Sequence, residues 1–293
     1  MLEKGALYVV GTPIGNLGDF SPRGKEALEQ ADFIAAEDTR VTRGLLTHFG
    51  IRKPMLSYFE HNKLDRGETI LARLQAGETC ALVSDAGMPA VSDPGETLIA
   101  ACAQRNIPVY VVPGPTAAIS ALAISGLPTG RFTFEGFLSV NKRSRREHLA
   151  QVAEETRTMI FYEAPHKLRR TLADFEACFG GQRQVAVVRE LTKIHEEVWR
   201  TTLHEAAAHY REKEPRGEYV LVVQGAAQPA AEQEPCTLES AVEMARELAE
   251  TGCSASEAAK RAAKATGQRK AEIYRELTQK QGKALPASVS TIK

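Results

Sequence analysis

SDAGMPAVSDPG, residues 84–95, directly follows the apolar run ALV at 81–83 and gives the clearest indication of the fold. VGTPIGN at 10–16 follows the run LYVV, and VPGPTAA at 112–118 follows VYVV, so three glycine- and proline-rich loops come after apolar runs. In an open α/β sheet, ligands lie outside the carboxyl ends of the strands, where glycine lets the backbone approach them. A core needs none of these loops, so they predict a shared small-molecule pocket and favour an enzyme.

Working outward from these loops, residues 1–125 alternate short apolar runs with amphipathic helical patterns. This alternation predicts an α/β fold with a largely parallel sheet covered by helices. Composition changes at Gly126, and we expect LPTGRFTFEGFL at 127–138 to connect two domains. A second α/β domain is predicted at 126–228, where consecutive strand patterns within 184–202 indicate a partly antiparallel sheet.

The C-terminal part has a different pattern. GAAQPAAEQEP at 225–235 is small, polar and proline-bearing, as in a linker. Three short helical patterns follow, with Thr237 and Ser254 as predicted N-caps and glycines at two helix ends. We therefore expect a small helical module at 236–283, with a helix-turn-helix-like pattern around Gly267, and a loose tail over the last ten residues.

Composition limits the possible functions. The 293 residues are 43% apolar and 25% charged, which is ordinary for a soluble globular protein. The 37 basic and 37 acidic residues cancel, so an affinity for nucleic acid must come from local segments. The N-terminus has no signal-peptide pattern, and no apolar run is long enough to span a bilayer. We expect a soluble, cytoplasmic protein with no membrane partner.

Cysteines and histidines give little indication of a metal. The five cysteines are scattered, with no C-x-x-C spacing, which argues against a disulfide framework and a zinc site. The histidines, among them His61, His166 and His195, have no partner at metal-ligand spacing. We therefore expect no metal.

Acidic residues follow several strands of the first predicted sheet. Glu37 and Asp38 follow the second apolar run, and His61 follows the third, so each could take a proton from a substrate hydroxyl. For each residue alone, a solvated charge or a helix cap is the alternative. Asp85 lies at a strand tip, where we predict a ligand role. Asp93 precedes a proline as a helix opens, and we predict that it caps that helix.

The loop after the fifth apolar run has two interpretations. Gly114 allows close backbone approach, and Thr116 begins a helix whose free N–H groups could bind a carboxylate or phosphate. The alternative is an ordinary N-cap. In the first loop, the glycine spacing differs from the dinucleotide fingerprint, and Pro13 lacks an N–H, so a dinucleotide site is not expected.

Two basic segments could bind RNA. KRSRR places Lys142, Arg143, Arg145 and Arg146 at the start of a helix. One interpretation is that these side chains bind phosphate, and the alternative is a solvated helix start. Residues 254–283 contain eight Lys or Arg and three Glu. Helix-turn-helix units often bind nucleic acid, although a packing or dimerisation module is the alternative.

The motifs TPIGN, AAEDTR, EHN, SDAGMPAVSDPG, PGPTAA, EGFL, FYEAPH and RELTK occur in this order. Their order and spacing resemble the small-subunit ribosomal RNA methyltransferase I family, within the tetrapyrrole-methylase-like superfamily, over residues 5–280. The resemblance implies a two-domain tetrapyrrole-methylase-like fold that holds S-adenosyl-L-methionine in the interdomain cleft. It implies methyl transfer to the ribose 2′-oxygen of a cytidine in the decoding region of 16S rRNA in the small ribosomal subunit. Homodimers are common in the superfamily.

The resemblance also implies roles for single residues. It places Glu37, Asp38 and His61 near the cleft without assigning the base, and these three residues are our candidates for it. Arg40 joins the KRSRR segment as our candidate RNA contact. The positions implied to bind the donor lie in four segments of the chain: Asp85, Gly87, Met88, Pro89, Thr116, Ala117, Tyr162 and Glu218.

Two other functions remain open from the sequence. A tetrapyrrole methyltransferase would share the donor cleft but would need neither the basic segments nor the C-terminal helices. A non-enzymatic nucleic-acid-binding regulator would use the helix-turn-helix, but it leaves the glycine loops and Asp85 unexplained.

Overall fold

The computed structural model describes residues 2–227 and 237–281 of the chain. The chain divides into two compact units, Met1–Ala226 and Ala227–Lys293. In the described residues, the first unit contains two five-stranded sheets, and the second contains helices only. None of the described helices has the length and apolar character needed to cross a membrane.

The first sheet is entirely parallel, as predicted, with the strand order β3-β2-β4-β1-β5. Three of its strands, β1, β2 and β4, are completely buried, which explains their continuous apolar sequences. The strands are β1 Leu7–Val10, β2 Phe33–Ala36, β3 Met55–Ser57, β4 Cys80–Val83 and β5 Val109–Val112. The helices are α1 Pro22–Gln30, α2 Thr39–His48, α3 Lys63–Gln75, α4 Glu96–Gln104 and α5 Ala117–Ile124.

This strand order decides which loops become neighbours. β4 lies between β2 and β1, and β5 pairs with the other side of β1. All five carboxyl ends lie at one edge because the strands are parallel. The loops after β2, β4, β1 and β5 therefore follow one another along that edge, although their chain order is different.

The second sheet is mixed, as predicted, with the order β6-β7-β10-β8-β9. β6 runs parallel to β7, and the remaining pairs are antiparallel. The strands are β6 Phe132–Phe137, β7 Thr158–Glu163, β8 Gln184–Arg189, β9 Glu197–Thr202 and β10 Tyr219–Val223. The helices are α6 Lys142–Gln151, α7 Pro165–Phe179 and α8 Leu203–Glu212.

The connector expected at 127–138 is wrong for half of its length, because residues 132–137 form the edge strand β6. An edge strand is half-solvated, so β6 has no continuous apolar run to distinguish it from a loop. Gly136 in the strand, and Pro128 and Gly130 before it, favoured a loop by composition alone.

The two sheets are joined through α5. Ala118, Ala121 and Leu122 on this helix pack against Ile160 of β7 and Val222 of β10 in one hydrophobic cluster. α5, which follows β5 of the first sheet in the chain, thus buries a face of the second sheet. The start of α5 consequently lies where the two sheets meet.

The second unit packs three helices on one another, α9 Leu238–Glu250, α10 Ala255–Thr266 and α11 Lys270–Gln281. Thr237 and Ser254 cap α9 and α10 as predicted, because their side chains accept hydrogen bonds from the amides of Ser240 and Glu257. Gly267 ends α10 in the left-handed conformation. Of the predicted linker, 228–235 lies outside the described residues, as does the predicted tail.

Candidate active site

Three loops at the carboxyl edge of the first sheet contact one another through their backbones. Thr12 and Gly87 exchange amide hydrogen bonds of 2.9 and 3.1 Å, which joins the loops after β1 and β4. A Cβ on Gly11 would lie 2.7 Å from Gly114, so the loops after β1 and β5 meet where neither can have a side chain. The close approach predicted at Gly114 is therefore made to another loop of the protein.

Glu37, Asp85 and Asp93 bring three carboxyl groups together at this edge. Asp85 accepts the amide hydrogen of Asp38 at 3.0 Å, and Glu37 accepts the amide hydrogen of Asp85 at 3.4 Å. Burial raises the pKa of both Glu37 and Asp85, and the negative charge of Asp85 raises that of Glu37 further. This part of the site would be stabilised by a positively charged ligand, since it concentrates negative charge.

Asp93 does not cap α4, contrary to the sequence prediction. The N-cap of α4 is Gly95, and no side chain caps this helix. Ala90 and Ser92 have φ values of 69° and 65°, a conformation that is strained for side chains other than glycine. This loop directs Asp93 into the carboxyl cluster.

The surroundings of Asp93 leave it easily protonated. Burial, with repulsion from Glu37, raises the pKa of Asp93 to about 6, although a hydrogen bond from Ser84 opposes the shift. At neutral pH this carboxylate is ionised and more basic than an ordinary aspartate. Sequence reasoning missed this residue because Asp-Pro before a helix is also the signature of an N-cap.

Asp38 and Arg40 pair with each other. Asp38 caps α2 by accepting the amide hydrogen of Arg40, and it forms an ion pair of 2.6 Å with that guanidinium. Side-chain and backbone hydrogen bonds from Arg40 lower the pKa of Asp38 to about 2. Such a carboxylate binds a proton weakly, so Asp38 is a poor general base. The Arg40 side chain is 86% exposed and remains accessible.

His61 lies in the loop after the edge strand β3. It is exposed, and its ring meets that of Phe59 edge-on with centroids 6.2 Å apart. Among the described residues, no hydrogen bond joins His61 to the carboxyl cluster. The strand order places β3 beyond β2, at the outer end of this edge.

The start of α5 is closed by internal hydrogen bonds. Thr116 caps the helix by accepting the amide hydrogen of Ile119 at 3.2 Å. The hydroxyl of Tyr162, from β7, accepts the amide hydrogen of Ala118 at 3.1 Å. Burial raises the pKa of Tyr162, and the charge of Asp93 raises it further. Thr116 is thus an N-cap of α5, and its contact with a ligand stays a prediction.

The motif RELTK supplies a residue that sequence reasoning did not select. Lys193 forms ion pairs of 2.9 Å with Glu190 and 2.8 Å with Glu218. Its side chain also reaches the loop after β1, where its Cγ is 2.6 Å from the position that a Cβ on Gly15 would occupy. Burial opposes the charge of Lys193, but the hydrogen bonds to Glu218 and Glu190 raise its pKa overall. Lys193 therefore links the second sheet to the first.

A cleft of about 430 Å³ lies between these elements. Thr12, Asp85 and Ala86 line one wall, and Lys193 and Glu218 line the other. The lining also includes Thr42, whose buried hydroxyl has no hydrogen-bond partner among the described residues. A buried hydroxyl without a partner is rare, and a polar ligand in the cleft would satisfy it.

The basic residues of the KRSRR segment differ in their exposure to solvent. Lys142, Arg143 and Arg146 are exposed at the start of α6. Arg145 is 3% exposed, forms an ion pair of 2.6 Å with Asp174 and donates to Thr171 at 2.8 Å. The expectation that Arg145 contacts RNA is therefore wrong, because its guanidinium is used inside the fold. A run of basic letters does not show which side chain faces inward.

The remaining predicted donor contacts lie in the loop after β4. Met88 is half-buried against the core of the first sheet, with its sulfur close to Gly11, and Pro89 is buried. Within residues 2–227 and 237–281, no group of three or more His, Cys, Asp or Glu side chains has the arrangement of a metal site.

Comparison with known proteins gives the class. Residues 6–207 match the family described as Tetrapyrrole (Corrin/Porphyrin) Methylases. The solved structure of a cobalt precorrin-4 methyltransferase superimposes with a TM-score of 0.57 at 18% identity, over 75% of this chain and 95% of that chain. This likeness concerns the fold. The protein is thus a methyltransferase of the tetrapyrrole methylase fold, and its methyl donor is S-adenosylmethionine.

Two relatives named Ribosomal RNA small subunit methyltransferase I identify the family. The protein from Synechocystis sp. is 54% identical over 222 residues, covering 76% of this chain and 80% of the relative. The protein from Pseudomonas aeruginosa is 43% identical over 286 residues, covering 97% of this chain and 100% of the relative. The chain belongs to the ribosomal RNA small subunit methyltransferase I family.

The residues present fit the donor. S-adenosylmethionine has a positive sulfonium and a positive amino group, and Glu37, Asp85 and Asp93 concentrate negative charge at one edge of the sheet. The unpartnered hydroxyl of Thr42 offers a hydrogen bond to a polar group. Asp85 and Thr42 both line the cleft, so the cleft offers a carboxylate and a hydroxyl to this ligand, with Glu37 and Asp93 near Asp85.

Proposed function

We propose that this protein transfers a methyl group from S-adenosylmethionine to the ribose 2′-hydroxyl of a cytidine in the decoding region of 16S rRNA. The observation that carries the proposal is the proximity of Asp93 to Glu37 and Asp85 on one side and to Tyr162 of the second sheet on the other. The names of relatives that are 43% and 54% identical support ribosomal RNA as the substrate.

The donor is proposed to bind at the loops after β4 and β5. Asp85 accepts hydrogen bonds or positive charge from it, and Thr42 adds a hydroxyl. Backbone groups of the loop after β4 shape the floor, and Tyr162 and Glu218 line the side toward the second sheet. The remaining proposed contacts are Gly87, Met88, Pro89, Thr116 and Ala117.

Asp93 is the proposed general base. When bound, the donor supplies an electrophilic methyl carbon on a positively charged sulfur. The 2′-oxygen would form its bond to the methyl carbon as the methyl–sulfur bond breaks and the donor leaves as a neutral thioether, and Asp93 would take the proton of the hydroxyl. Glu37, whose pKa is also raised, is the second candidate, and Asp38 and His61 are less suited for the reasons given above.

The exposed cations of α6 are proposed to contact the RNA backbone. Lys142, Arg143 and Arg146 supply positive charge at the surface, as does Arg40. Lys and Arg neutralise phosphates and release counterions, so this contact should weaken with salt.

The second unit is proposed to assist in RNA binding. It exposes further basic side chains on α10 and α11 and at the turn between them, namely Lys260, Arg261, Lys264, Arg269, Lys270 and Arg275. This supports the predicted RNA-binding module over a packing module.

The matched family and a solved structure that is 18% identical are named for tetrapyrrole or precorrin methylation, whereas relatives that are 43% and 54% identical are named for ribosomal RNA. A homodimer stays a prediction, which the exposed Tyr110 and Val111 on the edge strand β5 support. The cytoplasmic location also stays a prediction.

Mass spectrometry of RNA tests the proposal. Small ribosomal subunits and free 16S rRNA, both lacking the modification, are incubated with the protein and labelled donor. We expect one methylated cytidine, with the label on the ribose. Asp93→Asn should abolish the label, whereas Asp65→Asn, an exposed aspartate in the first turn of α3, should not. A label on a base, or none in either RNA, would refute the function.

A further inference from the structure

A β-bulge in the edge strand β6 redirects Phe137. The register with β7 pairs Phe134 with Ile160, then Gly136 with Phe161, so Glu135 is an extra residue. Gly136 has a φ of 63°, which suits glycine. Without the extra residue, Phe137 would point to the opposite face from Phe134. With it, Phe137 pairs with Tyr162.

The bulge therefore places two phenylalanine rings against one tyrosine. Phe134 and Phe137 meet Tyr162 with ring centroids 5.1 and 5.5 Å apart, both at steep angles. Phe134 is half-buried, but Phe137 is 55% exposed. Bulges beside active sites commonly re-aim a side chain, and here the result is an aromatic ring held in place but open to solvent.

This ring lies beside the candidate active site. Gly136 abuts the loop after β4, since Ser92 Oγ is 3.3 Å from the position that a Cβ on Gly136 would occupy. Ser92 adjoins Asp93, and the charge of Asp93 reaches Tyr162, the residue on which Phe137 packs. The basic start of α6, at Lys142, follows Phe137 closely in the chain.

We propose that Phe137 is the stacking platform for the base of the target nucleotide. The inference rests on the proposed function and adds a substrate contact to it. An enzyme that reacts with a single nucleotide needs to hold its base, and aromatic side chains do this by stacking. The exposed cations of α6 would hold the neighbouring phosphates. This charge favours a nucleic acid over an apolar peptide as the occupant.

The test compares Phe137→Ala with a matched variant, Phe132→Ala. Phe132 lies at the opposite end of β6 and is 38% exposed. Phe137→Leu and Phe137→Trp are added because leucine keeps the apolar bulk without the ring and tryptophan keeps the ring. Each variant is assayed for thermal melting, for the donor Kd by calorimetry, and for kcat and KM with small ribosomal subunits.

Loss of one stacked base should raise KM about 10-fold or more in Phe137→Ala and Phe137→Leu. The donor Kd should change less than about 2-fold, and Phe137→Trp and Phe132→Ala should behave as the wild type. Unchanged KM in Phe137→Ala would overturn the inference. So would a weaker donor Kd with unchanged KM, which would assign the ring to the donor adenine. If the wild type itself does not methylate the subunit, the proposed function fails instead.

Discussion

The hydroxyl of Tyr162 on β7 accepts the amide hydrogen of Ala118 in the first turn of α5, at 3.1 Å. The two residues belong to different halves of the first unit, so this hydrogen bond ties the second sheet to a helix of the first. It also occupies one of the N–H groups that a helix start leaves unpaired. Tyr162 thus organises the junction at which the carboxyl groups lie.

Tyr162→Phe should lower the free energy of unfolding by about 1 kcal/mol, because the amide of Ala118 loses its partner. Urea unfolding at neutral pH measures this change. Tyr274→Phe, on the exposed surface of α11, is the control and should leave stability unchanged. If Tyr162→Phe and the wild type were equally stable, water would replace the tyrosine hydroxyl as the partner of the Ala118 amide at no cost in free energy.

The rate of methyl transfer should rise with pH through about 6 and level above it, because Asp93 must be ionised to accept a proton. The relevant measurement is kcat/KM between pH 5 and 8, which reports the free protein. Asp93→Asn should lower the rate about 100-fold or more and remove the inflection. An inflection that persists in Asp93→Asn would transfer the role to Glu37.

The same substitution should stabilise the fold above pH 6. The pKa of Asp93 is raised from 3.8 to about 6 in the folded protein, so its ionisation opposes folding. The contribution of Asp93 to the free energy of unfolding is most favourable below pH 3.8. It is lost as the pH rises from 3.8 to about 6, and it is constant at higher pH. Thermal melting of Asp93→Asn should therefore exceed that of the wild type at pH 7.5 and match it near pH 4. An equal difference in melting temperature between Asp93→Asn and the wild type at both pH values would contradict this prediction.

Asp85→Asn should weaken donor binding about 10-fold or more, because a charged hydrogen-bond acceptor is replaced by a neutral one. The amide oxygen can still accept from the backbone of Asp38, so the fold should survive. Calorimetric titration with S-adenosylmethionine gives the affinity, and circular dichroism checks the fold. Asp85→Ala should lose donor binding entirely, and retained affinity in that variant would remove Asp85 from the site.

Two neighbouring basic residues of α6 should respond very differently when each is replaced by alanine. Arg145→Ala removes the hydrogen bonds of a buried guanidinium to Asp174 and Thr171 and should cost about 2 kcal/mol of stability, since Asp174 is partly exposed and keeps its ion pair with Arg170. Arg146→Ala, one residue further, should leave melting unchanged while weakening RNA binding and reducing its salt dependence. Thermal melting measures the loss of stability, and filter binding of RNA across a salt series measures the loss of affinity. The reverse pattern would mean that Arg145 turns outward in solution.

Local sequence patterns were enough to predict the elements of the fold and the edge of the sheet that bears the site. Strands such as Leu7–Val10 and Cys80–Val83 were readable because strands buried on both faces are continuously apolar. Thr237 and Ser254 were readable as caps because a cap depends on residues only three positions away. The order of the glycine loops and acidic motifs also sufficed to suggest the family.

Only the tertiary structure decided what individual side chains do. Asp93 joins the carboxyl cluster, Arg145 turns inward, and Lys193 reaches Gly15, each through neighbours distant in the chain. The strand β6 likewise depends on its pairing with β7. The physical reason is that periodicity and caps are local interactions, whereas burial, charge proximity and pKa depend on packing that brings remote segments together.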